Sequence, residues 1–284
     1  MDRVAERNSF AALALDEDIG TSVDAGTALR SLVIIPSREG SVRFPGKPLA
    51  PLTSRQGVTR PLVEWTWRAA LRAADPADVV IATDSARIAD AVTAFGGQVV
   101  MTSPDALNGT ERCAEAYALL GRKADVVVNW QGDNPLVPPG YLAALLAAFT
   151  DPSVQLATPF ARCDPAMSAR LRSDYAEGRI GGTCVTARCD GTAIAFSKAP
   201  IPYGAARLNL HIGLYAYRPE ALAAYAALPV SQLELDEALE QLRLLDAGLP
   251  VHLVEVALPQ GGLWEVNNPD DVALVEALLY TNLH

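Results

Sequence analysis

From residue 31 to about residue 159 this chain alternates short apolar runs with segments whose apolar residues recur every three or four positions. That alternation decides most of what it can fold into. Leu32–Ile35, Asp78–Ala82, Gln98–Met101, Asp125–Trp130 and Gln155–Pro159 read as strands. Leu62–Ala74, Ala86–Phe95, Glu111–Leu120 and a segment from about Gly140 to Phe149 read as helices. Successive β–α units with short connections make right-handed parallel crossovers that cover both faces of a sheet. The expectation is an α/β fold with a doubly wound, mainly parallel sheet.

After residue 180 the pattern changes. Thr183–Arg188 and Thr192–Phe196 flank Cys189-Asp190-Gly191, which reads as a hairpin turn. His211–Tyr217 and Val251–Val256 read as strands, and Pro219–Ala227, Leu235–Ala247 and Pro269–Leu279 as helices. A smaller β-rich lobe is expected over about 180–250. Residues 1–30 read as an N-terminal extension, leaving 31–284 as the main domain.

The loop after the first strand carries the strongest chemical signal. Ile35-Pro36-Ser37-Arg38-Glu39-Gly40-Ser41-Val42-Arg43-Phe44-Pro45-Gly46-Lys47 places two arginines, a lysine, two glycines and two serines in one connection. At the carboxyl end of a strand, such a loop offers backbone N–H groups and fixed positive charge to a polyanion such as a nucleoside triphosphate. The spacing is not that of the ATPase P-loop. Three more strand ends carry polar groups: Thr83-Asp84, Asn108-Gly109-Thr110-Glu111-Arg112, and Gln131-Gly132-Asp133. Thr83-Asp84-Ser85 also suits a helix cap. Arg112, just inside a helix start, opposes the macrodipole unless an anion lies close. Asp133, facing a phosphate loop, is the carboxylate that a nucleotide-bound Mg²⁺ requires.

A net charge of −10 argues against general nucleic-acid binding, so the local basic loop suits a small anion. The four cysteines form no C-x-x-C pair and there are three histidines, which makes a zinc site unexpected and a reduced, cytoplasmic protein the simplest expectation. No apolar run reaches the length of a membrane helix, and the first thirty residues do not read as a secretory signal.

Taken together, Ile-Pro-x-Arg-x-x-Ser-x-Arg-x-Pro-Gly-Lys-Pro-Leu, Ala-Thr-Asp, Gly-Thr-Glu-Arg, Gln-Gly-Asp-x-Pro, His-x-Gly-x-Tyr-x-Tyr-Arg and Leu-Glu-Gln-Leu-Arg resemble the CMP-KDO synthetase family, the 3-deoxy-manno-octulosonate cytidylyltransferases. The resemblance spans about residues 31–280. It implies a nucleotide-diphospho-sugar transferase-like fold, transfer of CMP from CTP to a small anionic acceptor with release of pyrophosphate, Mg²⁺ as cofactor, and a homodimer. By the same resemblance Arg38, Lys47 and Asp133 are catalytic. Pro36, Ser37, Arg38, Ser41, Arg43, Lys47, Asp84, Asn108, Gly109, Thr110, Arg112 and Gln131 bind the nucleotide. Lys198, His211, Tyr215, Glu240, Gln241 and Arg243 line the acceptor pocket, although Tyr215 and Tyr217 by themselves alternate with core positions and read as packing.

Three departures from the family pattern stand out. The usual Val-Asp-x-Pro-Glu-Asp, whose first Asp is a second metal ligand, reads Val266-Asn267-Asn268-Pro269-Asp270-Asp271, so the implied metal set is Asp133 with an uncharged Asn267. Glu265 or Asp270 could compensate for the missing charge, although a carboxylate at either position would point differently. Gly-Asp-Glu-Pro reads Gly132-Asp133-Asn134-Pro135, and Phe-Ser-Arg reads Phe196-Ser197-Lys198, with the segment from Tyr203 to Leu210 shorter than usual. Three readings remain open: a cytidylyltransferase for a KDO relative or a non-sugar acid such as a phosphonate, one for KDO itself with a rearranged pocket, and a catalytically weakened nucleotide-binding homologue.

Overall fold

The structure, a computed structural model, describes residues 29–40, 43–259 and 262–280. Nearly all of the expected N-terminal extension, and Ser41 of the basic loop, lie outside them. In chain order, β1 (Ser31–Pro36) is followed by a short 3-10 turn at Lys47–Leu49 and a hairpin of β2 (Pro51–Thr53) and β3 (Thr59–Pro61). α1 (Leu62–Leu71), β4 (Val79–Thr83), α2 (Ala86–Ala94), β5 (Gln98–Met101), α3 (Gly109–Leu120), β6 (Val126–Trp130), α4 (Gly140–Ala148) and β7 (Leu156–Arg162) then alternate. The remainder comprises α5 (Pro165–Ala176), β8 (Cys184–Ala187), β9 (Ala193–Ser197), β10 (Asn209–His211) and β11 (Leu214–Tyr217). It closes with α6 (Pro219–Ala227), α7 (Gln232–Glu237), α8 (Leu242–Asp246), β12 (His252–Glu255) and α9 (Asp271–Glu276).

Among the described residues all strands except β2 and β3 join one sheet, ordered β5-β4-β1-β6-β11-β7-β10-β8-β9, with β12 pairing β7. The block β5-β4-β1-β6 is parallel, as the β–α alternation requires. β11 runs antiparallel to both β6 and β7, and β10, β8 and β9 extend the sheet in antiparallel fashion. The β-rich stretch after residue 180 is therefore the antiparallel end of the same sheet.

Period-2 alternation sorts the central strands onto two faces. Val33, Ile35, Val79, Ile81, Val126, Val128 and Trp130 pack with α1 and α4 through Val63, Trp67, Leu142 and Leu145. Their neighbours Leu32, Ile34, Val80, Ala82 and Val127 pack on the other side with Cys113 and Ala116 of α3 and Leu222 and Tyr225 of α6. Burial on both faces is why these runs read as unbroken Val/Ile stretches.

Beyond the β2–β3 hairpin, for which no element was expected, three elements differ from expectation. α5 was not anticipated, although its start signal is present: Asp164 Oδ1 accepts from Met167 N at 2.7 Å and Pro165 opens the helix. The single helix expected over Leu235–Ala247 is two, α7 and α8, because Ala238 takes the left-handed conformation at φ 48°. The strand expected over His211–Tyr217 breaks at Ile212-Gly213, so β10 and β11 pair with different residues of β7.

Candidate active site

The loops at the carboxyl ends of β1 and β6 meet the break between β10 and β11 around a cavity of about 740 Å³. One side is cationic. Arg38, Arg43 and Lys47 line it, and Lys47 Nζ reaches Asp133 Oδ2 at 2.6 Å. Lys47 is placed by the 3-10 turn that Gly46 initiates at φ 69°, a left-handed conformation that favours glycine. Asp133 follows β6 in a tight connection whose Gly132 cannot be enlarged. A Cβ at that position would stand 2.5 Å from Pro36 O and 3.0 Å from Ser37 Oγ. Thr66 of α1 holds the same turn by donating to Gly132 O at 3.0 Å.

The opposite side is built from the antiparallel half. His211, Tyr215, Gln241, Glu240 and Lys198 line the cavity there. Gly213 permits the close approach of the two sides, since a Cβ on it would lie 2.9 Å from Glu265 Oε1 and 3.2 Å from Gln131 Cγ. His211 Nε2 lies 2.9 Å from Thr158 Oγ1, whose own proton goes to Leu214 O at 2.8 Å, so the imidazole is the donor of that pair. Burial lowers the His211 pKa to about 3, which keeps the ring neutral. Tyr215 donates to Gln241 Oε1 at 3.1 Å, while Gln241 Nε2 is buried with no hydrogen-bond partner among the described residues. Burial, and then the nearby Arg43 charge, lower the pKa of Lys198.

Two carboxylates in the cavity wall are displaced from their ordinary behaviour. Burial raises the pKa of Glu240, which accepts from Thr110 N at 3.0 Å and Gln131 Nε2 at 2.7 Å. Burial, and then the negative charge of Asp133, raise that of Glu265 to about 7.

Comparison with known proteins places this arrangement. The family model described as cytidylyltransferase matches residues 32–253. The chain belongs to the cytidylyltransferase family. It is 43% identical over 256 residues to a 3-deoxy-manno-octulosonate cytidylyltransferase of Maricaulis maris, covering 87% of this chain and 96% of that one. It is 38% identical over 258 residues to the enzyme of the same name from Escherichia coli, covering 89% and 98%. Among solved structures, a CMP:2-keto-3-deoxy-manno-octonic acid synthetase complexed with CTP superposes with a TM-score of 0.74 at 35% identity, covering 88% of this chain and 98% of that one.

Within this cytidylyltransferase the expected site residues divide into two groups. Pro36, Ser37, Arg38, Arg43, Lys47, Asn108, Gly109, Gln131, Asp133, Lys198, His211, Tyr215, Glu240, Gln241 and Asn267 all line the cavity. Tyr215 both packs and lines the cavity. Several others are committed to partners within the chain. Arg112 is buried on the cavity wall, and its guanidinium bonds to Asp84 at 3.0 Å, Thr102 Oγ1 at 2.5 Å and Ser103 O at 3.2 Å. The anion that excuses an arginine near a helix start is thus Asp84, a residue of this chain. Asp84 itself does not line the cavity.

Arg243 is likewise committed to partners within the chain. It is 2% exposed, away from the cavity wall, and grips Glu234 bidentately at 2.6 and 2.8 Å and Glu111 at 2.8 Å. Its place is a buried ion triad under Tyr225. Thr110 is likewise buried off the wall, with its N–H on Glu240 and its hydroxyl beside Tyr217. Asn108 caps α3 by accepting from Glu111 N at 2.9 Å and donates to Tyr225 and Glu234. Glu234, which organises Asn108 and Arg243, was not singled out from sequence. A glutamate on a short polar helix carries no local signal of its partners.

Proposed function

We propose that this chain transfers CMP from CTP to 3-deoxy-manno-octulosonate or a closely similar keto-sugar acid, releasing pyrophosphate. The observation that carries the proposal is the Lys47–Asp133 pair, set between a cationic loop and a wall of polar groups in one cavity. Names carried by relatives at 35–43% identity support the choice of base and acceptor.

In this reading Arg38, Arg43 and Lys47 hold the triphosphate. Arginine grips two oxygens at once, while lysine supplies a point charge for the departing pyrophosphate. Gly109 lets Gln131, which would read the cytidine, stand close to the start of α3, because a Cβ there would lie 3.3 Å from Gln131 Nε2 and 3.3 Å from Pro36 Cγ. The free Gln241 amide and neutral His211 orient the acceptor so that its hydroxyl attacks the α-phosphorus in line with the leaving oxygen. The P–O bond to pyrophosphate breaks as the new P–O bond forms, and the hydroxyl proton leaves to solvent. Catalysis of this kind is mostly positioning and charge neutralisation.

Hard oxygen donors in the cavity fit a magnesium ion: Asp133 offers a carboxylate, and a second one, Glu265, faces the same space. Magnesium, when bound, would neutralise charge on the phosphates. We also read the chain as cytoplasmic and as a homodimer; exposed Ile194 and Leu233, in a groove shared with Ile201, Leu242 and Leu245, support the dimer alone. Among the described residues no helix is long and apolar enough to cross a membrane.

Pyrophosphate release measured with each of the four nucleoside triphosphates and a panel of sugar acids and phosphonates tests the proposal. CTP with 3-deoxy-manno-octulosonate should give the highest kcat/KM. CTP binding without pyrophosphate release from any acceptor would replace catalysis by nucleotide binding.

A further inference from the structure

Two of the departures from the family pattern converge on one side chain. Asn134 stands where the pattern has a carboxylate, and its Nδ2 donates to Glu265 Oε1 at 3.2 Å. Asn134 is fully buried, so a glutamate in its place would press a second negative charge against Glu265 out of reach of water. Asn267 also stands where the pattern has a carboxylate, and its Oδ1 accepts from Arg43 Nη2 at 3.4 Å. That amide oxygen already faces a cation of the protein.

This chain therefore lacks the pattern's negative charge at both 134 and 267 and carries one at 265. The backbone accommodates it. Val266 N donates to Asp133 O at 3.0 Å, which ties the segment carrying Glu265 to the turn carrying Asp133. Gly213 leaves the space that Oε1 occupies. Both carboxylates line the cavity, as does Ser37, which is 2% exposed and whose hydroxyl has no hydrogen-bond partner among the described residues. Asp271 also lines the cavity, but its Oδ2 is held by the backbone N–H groups of Asn267 and Asn268 at 2.9 and 2.7 Å, and Asp270 is off the cavity wall.

We infer that Glu265 is the second anionic ligand for the divalent cation in this chain, taking over from the uncharged position 267, with Asn134 and Asn267 as positioning residues. A hard cation gains more from an anionic oxygen than from an amide. The third departure, Lys198, lies outside this rearrangement. The inference rests on the cytidylyltransferase reading of the cavity.

The test is Mn²⁺ titrated into the full chain saturated with CTP and without acceptor, followed by the EPR signal of free Mn²⁺. Glu265→Gln should weaken Mn²⁺ binding about tenfold or more. Adding Asn267→Asp to that variant should restore the affinity to within about threefold of the unaltered chain, and failure to restore it overturns the exchange of roles between 265 and 267. Metal-free CTP affinity, measured by calorimetry, should stay within about twofold in both variants. Unchanged Mn²⁺ affinity in Glu265→Gln overturns the assignment of Glu265 and leaves the cytidylyltransferase reading intact. Failure of the unaltered chain to bind CTP overturns both.

Discussion

The two halves of the cavity solve opposite electrostatic problems. The parallel half, at the ends of β1 and β6, holds positive charge toward the cavity: Arg38 is exposed, and Lys47 is paired with Asp133 on the cavity wall. The antiparallel half, behind β11 and α8, closes its charges on partners within the chain, except for Lys198 on the cavity wall. Arg243, Glu234 and Glu111 form a buried triad, and Glu240 is held by Thr110 and Gln131. A region that must grip a polyanion keeps its cations where the ligand can reach them. A region that must shape a pocket around an acceptor gains from having its buried charges satisfied, since a buried charge without a partner costs several kcal/mol.

The sharpest way to break this contrast is to remove an arginine from each half. Arg243→Met leaves Glu234 and Glu111 facing one another in a buried site. The expected loss is about 4 kcal/mol of folding stability, read as a fall in urea midpoint. Were Arg243 an acceptor ligand instead, acceptor KM would rise with stability unchanged. Arg38→Met, on the exposed side, should move the urea midpoint little and raise the KM for CTP.

Lys47→Ala is the next largest effect and belongs to the other half. It should cost about 3 kcal/mol of transition-state stabilisation, roughly a hundredfold in kcat/KM, comparable to losing one preorganised donor. Its stability loss should be smaller than that of Arg243→Met, because Asp133 faces the cavity and water can resolvate it. Unchanged turnover removes Lys47 from the chemistry.

The same contrast explains what could be read in the sequence. The parallel half was legible because its signals are local: Val/Ile runs, the cap at Thr83-Asp84-Ser85, and a loop whose composition announces a polyanion. Ser85, the third residue of Thr83-Asp84-Ser85, is the one that accepts from Ile88 N, which left Asp84 available for Arg112. The antiparallel half was less legible because its decisive contacts are distant in sequence. Arg243 meets Glu111 across 132 positions, and Asn134 meets Glu265 across 131. The Leu-Glu-Gln-Leu-Arg motif placed Glu240 and Gln241 on the cavity but could not show that the chain turns at Ala238, which sends Arg243 inward. Periodicity counts apolar positions, and Leu235, Leu239 and Leu242 fit one helix as well as two.

The smallest effect concerns His211, where the two halves meet. Its folded pKa, about 3, lies below the ordinary value near 6.5 because burial disfavours the charged ring. The unfolded chain therefore binds more protons here than the folded one between these values. The contribution of this residue is fully present above about pH 6.5 and is lost as pH falls toward 3. Between pH 7.5 and pH 5 the loss should approach 2 kcal/mol. Glu240 and Glu265, whose folded pKa values are raised, act in the opposite sense: their contributions hold at low pH and fade as pH rises. The comparison must therefore be made between the unaltered chain and His211→Gln, which keeps a donor for Thr158 and leaves both glutamates in place. Urea midpoints of the two should differ most at pH 7.5 and converge, or cross, at pH 5. A difference that does not change with pH would mean that His211 is solvated, and that the wall behind β11 is more open to water than its burial implies.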